Sequence, residues 1–311
     1  MNTDSYIPGI VIQGPLISKG RVPRSESIPI PNLKKSDIVE FYCVDQIIEI
    51  CSKYSEKFPI VIATWDSEEK ALISRLLAIS SKKVKVILLT DTTPYFQALS
   101  AIVPGNNKYR QIYSTLKATE ELLVFGCTHV IKLRTDMSLD VGRLWGDFIK
   151  ISQTRELSVL VPSFNLSQPA ALPDVYFVCK SNDLIEFFRV LLSTNQWFPS
   201  IHSDLFYRWL GMKITIIRSI VYIFGNTKTL SGLYLYAWSK FYSPASYSVF
   251  KSIVWRGEKY DPNKKYDRIF SDIFLKGFVL NDKSFILQSV QIKIFNKLST
   301  LIKSRFSRLF C

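Results

Sequence analysis

The feature that most constrains this chain is an alternation across its first 180 residues, where short unbroken apolar runs are separated by stretches of helical spacing. The runs are GIVIQGP, stopped by Gly14-Pro15, then FPIVIATWD, KVKVILLTD and HVIKLRTD. Between them, residues 36–54 predict a helix with Ser36 as N-cap and Ile38, Phe41 and Ile48 on its core face. Asp66 is expected to open another helix, with Glu69 three residues on completing a capping box. Over 107–125, Tyr109, Ile112, Tyr113, Leu116, Leu122 and Leu123 fall near helical spacing, and Gly126 sits at the C-terminal end. LSVLVPS and VYFVCKS read as further strands, the second running into a helix from Ser181.

Such alternation predicts an α/β fold with a mainly parallel sheet covered on both faces. Ligands of these sheets bind beyond the carboxyl ends of the strands. Those ends are Gln13-Gly14-Pro15, Thr64-Trp65-Asp66, Thr90-Asp91 and Arg134-Thr135-Asp136, and they are expected to converge on one rim. Gly14 permits close backbone approach, and Trp65 is placed to stack on a base. Neither GxGxxG nor GxxxxGK[ST] occurs, which argues against a dinucleotide fingerprint and a P-loop.

Charge divides the chain. Residues 1–204 carry 22 Lys and Arg against 21 Asp and Glu; residues 205–311 carry 18 against 5. The basic last third implies an anionic partner. Its final stretch, IKIFNKLSTLIKSRFSRLFC, places Ile294, Leu298, Leu301, Ile302, Phe306 and Leu309 near one helical face, with Lys293, Lys297, Lys303, Arg305 and Arg308 beside them. This pattern suits docking on an anionic membrane surface, at about 1 kcal/mol per basic residue. It equally suits a terminal helix packed on its own core. No recognised nucleic-acid module is visible, and nucleic acid is not expected as a partner. The start shows no basic n-region or long apolar run, so no signal peptide is expected. Five cysteines without CxxC spacing read as reduced thiols, and two histidines leave little for a zinc site. Together these features predict a cytoplasmic protein, peripheral to the inner face of the membrane.

Two constellations carry chemistry. Asp136, followed by Asp140, ends a core strand beside Lys132 and Arg134. A carboxylate there either meets solvent paired to Arg134, or holds Mg2+ or Mn2+ against the phosphates of a substrate. In NNKYRQIYST, Asn106 or Asn107 is placed to cap a helix whose N-terminus favours anions, and Arg110 to fork onto a phosphate. A plain cap with a surface arginine fits the same residues.

Five segments together resemble the WavE lipopolysaccharide-synthesis family, bacterial proteins regarded as glycosyltransferases of GT-A type. They are IVIQGP (10–15), FPIVIATWDSE (58–68), NNKYRQIYST (106–115), IKLRTDMSL (131–139) and LPDVYFVCKSNDLIEFF (172–188). The resemblance spans roughly residues 8–210. It implies a GT-A-like domain over 1–210, a basic, largely helical extension over 211–311, and a nucleotide-sugar donor. Gln13, Gly14, Pro15 and Trp65 would then lie by the nucleoside, Asn106, Arg110 and Arg134 by the diphosphate, and Asp136 at the metal position. Arg134 occupies the place of the first acid of a DxD motif, which puts Mn2+ or Mg2+ dependence in question. As base for an acceptor hydroxyl, Asp204 is the first candidate, with His202 to orient it and Asp174 second. The expected activity is sugar transfer to a lipid-linked, lipopolysaccharide, capsule or O-antigen acceptor. The alternative is a non-catalytic polysaccharide- or membrane-binding protein on a degenerate GT-A fold. A sugar-nucleotide pyrophosphorylase would need a GxGxR-type loop after the first strand, and none follows.

Overall fold

The structure is a computed structural model and describes residues 6–21, 38–90, 108–162, 175–193, 205, 209 and 241–259. Seven strands form the central sheet: β1 (Pro8–Gln13), β4 (Ile60–Trp65), β5 (Val84–Leu89), β6 (His129–Arg134), β8 (Val159–Val161), β9 (Phe177–Lys180) and β10 (Tyr242–Pro244). Their spatial order is β10-β8-β9-β6-β1-β4-β5. β1 pairs in parallel with both β4 and β6, β4 with β5, and β8 with β10. Only β9 runs antiparallel to its neighbours β6 and β8. The expectation of a mainly parallel α/β sheet holds.

Both faces of the sheet are covered, which explains why β1 and β4 read as continuous apolar runs rather than alternating ones. Val11, Val61, Ala63 and Val130 pack on one side with Ile112, Leu116 and Leu122 of α3 (Lys108–Val124) and Leu184 and Phe188 of α5 (Ser181–Ser193). Ile10, Ile12, Ile62 and Ile131 pack on the other with α1 (Val44–Tyr54), α2 (Lys70–Leu77) and α4 (Val141–Ser152). Each such fully buried side chain contributes about 1.5–3 kcal/mol relative to exposure.

Three sequence expectations need correction. The stretch expected as one helix over 36–54 is a strand, β3 (Ile38–Tyr42), followed by α1. β3 pairs antiparallel with β2 (Ile17–Arg21), so strand pairing overrides a helical reading of Phe41. Asp66 does not open α2. That helix begins at Lys70 with Glu69 as N-cap and no side-chain cap bond, while Asp66 accepts a hydrogen bond from Thr90 Oγ1 at 2.7 Å. Asp140, weighed with Asp136 as a ligand, is instead the N-cap of α4, its Oδ1 accepting from the Arg143 N–H at 3.0 Å.

The sheet draws on both sides of the boundary expected at residue 210. β10 supplies its edge, and α6 (Tyr247–Lys251) buries Val249 and Phe250 in the core. A hairpin of β11 (Val254–Trp255) and β12 (Glu258–Lys259) then pairs with β7 (Met137–Ser138). The C-terminal helical pattern over 290–311 lies outside the described residues. No helix among the described residues is long and apolar enough to cross a membrane. Cys43, Cys51, Cys127 and Cys179 are buried free thiols, and burial pushes Cys43 and Cys51 up to about 12.

Candidate anion-binding site

The carboxyl ends of β1, β4 and β6 open into one hollow of about 370 Å³. Gln13, Gly14 and Pro15 line it from β1, Trp65, Ser67 and Glu68 from beyond β4, and Arg134 and Thr135 from β6. Arg110 and Gln111 reach it from the first turn of α3, Ile17, Ser18 and Lys19 from β2, and Arg256 from the β11–β12 turn. The expected residues Gln13, Gly14, Pro15, Trp65, Arg110 and Arg134 therefore share one cavity.

Backbone geometry fixes this rim. Gly14 adopts a φ of 138°, and a Cβ there would stand 2.6 Å from Thr135 Oγ1, so only glycine lets the ends of β1 and β6 come this close. Thr135 N–H donates to Gln13 O at 3.1 Å, and its hydroxyl to Pro15 O at 2.7 Å. Gln13, 3% exposed, is itself held by Ser114, whose hydroxyl donates to Oε1 at 3.0 Å and ties the strand end to α3. Trp65 is largely buried, and the Arg110 guanidinium sits 5.7 Å from its ring centre, a cation–π arrangement that presents Arg110 to the hollow.

Asp136 stands directly behind the lining, 1% exposed. Arg134 donates to it twice, Nε to Oδ1 at 2.9 Å and Nη2 to Oδ2 at 3.1 Å. Ser18 Oγ donates to Oδ2 at 2.7 Å and Arg256 Nε at 3.1 Å, with the Trp255 indole N–H at 3.4 Å. Burial alone would raise this carboxyl, but Arg134, Ser18 and Arg256 outweigh it and hold the group down at about 2. Asp136 thus ionises as the fixed partner of two guanidinium groups.

Glu68 is the carboxylate on the lining. Its Oε2 accepts from the Leu16 N–H at 3.0 Å, fastening the β1–β2 connection. Burial raises its pKa, while the backbone bonds from Leu16 and Ile17 and the nearby Arg110 act the other way. Lys19 faces the rim but is paired with Glu40 at 2.7 Å, both exposed.

Asp66 and Thr90 pair with each other and do not line the hollow. Asn106, Asp174, His202 and Asp204 lie outside the described residues, as does Asp91. Sequence reasoning missed Ser18, Glu68 and Arg256. Only Arg256 left a signal, in the Arg-Gly pair of WRGE, which carries the glycine of a tight turn.

No protein-family model and no curated protein matches the chain. Among solved structures, it shows a loose likeness to a 4-diphosphocytidyl-2C-methyl-D-erythritol synthase from Anaerococcus prevotii. The TM-score is 0.36 at 9% identity, over 86% of this chain and 98% of that one. A protein assigned as a glucose-1-phosphate thymidylyltransferase from Bacillus anthracis, crystallised with sucrose, gives 0.36 at 12% identity over 77% and 87%.

Proposed function

We propose that this chain is a glycosyltransferase of GT-A type that takes a sugar from a nucleotide-sugar donor. One observation carries the reading: four of the five segments that resemble the WavE family converge on a single cationic hollow. IVIQGP brings Gln13, FPIVIATWDSE brings Trp65, NNKYRQIYST brings Arg110 and IKLRTDMSL brings Arg134. Segments scattered over 130 residues meet at the carboxyl ends of parallel strands, where such sheets take ligands.

In this reading Trp65 and Gln13 flank the nucleoside, and the arginines hold the diphosphate. Transfer breaks the bond between the anomeric carbon and the phosphate oxygen. Both electrons leave with the nucleoside diphosphate, and prearranged guanidinium groups stabilise that developing charge. The acceptor hydroxyl oxygen forms the new bond, and its proton passes to a base. Asp204 is the proposed base, oriented by His202, with Asp174 as second choice. The proposed acceptor is a lipid-linked or lipopolysaccharide, capsule or O-antigen glycan. The basic stretch 290–311 is proposed to bring the protein to the inner face of the membrane, where such acceptors are carried.

The test is a melting-temperature screen of the full chain against UDP-, GDP-, CMP- and dTDP-sugars. One nucleotide class should raise the melting temperature, and Arg110→Ala, an exposed change on α3, should remove the shift. Binding to anionic vesicles or polysaccharide, with no response to any nucleotide sugar, would instead establish a binding protein.

A further inference from the structure

We infer that the hollow grips a diphosphate with arginines and without a divalent ion, and that Arg256, on the tip of the β11–β12 hairpin, stands in the ion's place. The inference rests on the proposed nucleotide-sugar reading.

The residues present do not fit a metal. Mg2+ and Mn2+ need oxygen lone pairs at about 2 Å. Both oxygens of Asp136 already accept hydrogen bonds: Oδ1 from Arg134, and Oδ2 from Ser18, Arg134 and Arg256. Two guanidinium groups lie within 3.1 Å of that carboxylate, where a divalent cation would be repelled. Glu68 accepts from the Leu16 N–H instead of facing Asp136 as a second ligand. Among the described residues no three His, Cys, Asp or Glu cluster in a way that could hold an ion.

The backbone of Arg256 is the second observation. Its φ is 51°, the one positive value at a residue other than glycine among the described residues. Gly257 follows with 78°, so both residues of this two-residue hairpin loop have positive φ, as a type I′ turn requires. Asn-Gly or Gly-Gly would fill such a turn without strain. The chain instead keeps an arginine there, and strain of this kind clusters at functional sites. The Arg256 N–H donates to Asp136 O at 2.9 Å while its side chain reaches Oδ2, so main chain and side chain lock onto the same residue. The result is a guanidinium delivered to the hollow by a segment 120 residues beyond Arg134's strand.

The three arginines are held in advance. Arg110 lies over Trp65, while Arg134 and Arg256 stand 5.8 and 6.0 Å from the Trp255 ring centre. Asp136 fixes two of them from behind. Guanidinium forks match phosphate oxygens, and arginines supply the stabilisation of a departing phosphate in other enzymes.

The test is calorimetric titration of the full chain with UDP, GDP, dTDP and inorganic pyrophosphate, in EDTA and in excess Mn2+. Arg256→Asn removes the guanidinium yet suits the left-handed turn, and leaves Asp136 with Arg134 and Ser18. Arg256→Lys keeps the charge and loses the fork. Wild-type affinity in EDTA should match that in Mn2+ within about twofold. Arg256→Asn should weaken binding about tenfold to a hundredfold, with Arg256→Lys recovering part of the loss. Circular dichroism checks that the variants fold, and Arg110→Ala gives a second reading independent of the hairpin. Binding that requires Mn2+ overturns the arginine clamp and leaves the nucleotide-sugar reading standing. Pyrophosphate bound in EDTA through Arg256, with no affinity for any nucleotide, sinks that reading and spares the clamp. Full affinity in Arg256→Asn, or no binding of any probe, also overturns it.

Discussion

The two ends of β6 are five residues apart and are built from opposite chemistry. At its start His129 is buried among rings: Tyr6 at 5.1 Å, Phe148 at 5.3 Å and Trp145 at 5.7 Å between centres, with Trp145 stacked on Phe148. At its finish Asp136 is buried among cations. Rings gain from leaving water and pack by dispersion. A carboxylate and two guanidiniums lose hydration on burial, and apolar replacements of such groups are often neutral or stabilising. The ionic end is therefore a poor device for stability alone. It makes sense where the arginines it immobilises face a charged ligand.

Deleting one group at each end tests this contrast most strongly. Phe148→Ala and Asp136→Ala should each cost about 3–5 kcal/mol in urea unfolding at neutral pH, the first by opening a cavity, the second by stranding two cations. The losses differ in consequence. Nucleotide affinity should survive in Phe148→Ala and collapse in Asp136→Ala, measured where both variants are folded. Equal affinities would remove the functional argument for the ionic end.

A smaller effect is read against pH. Asp136 titrates at about 2 when folded, below its ordinary 3.8. A depressed folded pKa gives stability that is present above the unfolded value and lost as pH falls through the folded one. The stability gap between wild type and Asp136→Asn should thus shrink by about 2 kcal/mol between about pH 5 and pH 2. A gap that stays constant over that window would mean the carboxylate is not ionised against its arginines.

The same contrast explains what could be read in advance. Apolar runs such as IVIQG and PIVIATW announce buried parallel strands, and the strand ends name Gln13, Trp65, Arg110 and Arg134 before any fold is known. Local pattern suffices because each residue's place follows from its own strand or helix. It fails where partners are distant. Ile38–Tyr42 becomes a strand because β2 pairs with it, a fact absent from its own spacing. Arg256 reaches Asp136 only because β11 pairs with β7, and RGEKYD alone reads as a polar turn. The carboxylate itself was visible, but not the five donors that meet it, since Ser18, Trp255 and Arg256 come from elsewhere in the chain.

The smallest effect separates two acids that spacing alone would pair. Asp140 lies four residues beyond Asp136, yet its side chain caps α4 through the Arg143 N–H and is partly exposed. The neighbouring contact to the Arg143 side chain is 3.9 Å between exposed groups and adds little. Asp140→Ala should therefore cost about 1 kcal/mol, the ordinary price of a lost N-cap, and Asp140→Asn or Asp140→Ser much less, because either can accept the same hydrogen bond. Nucleotide affinity, in EDTA or in Mn2+, should match wild type in all three. A metal-dependent loss of affinity in Asp140→Ala would reunite the two carboxylates as ligands of one ion, and the division of labour along this end of the strand would have to be redrawn.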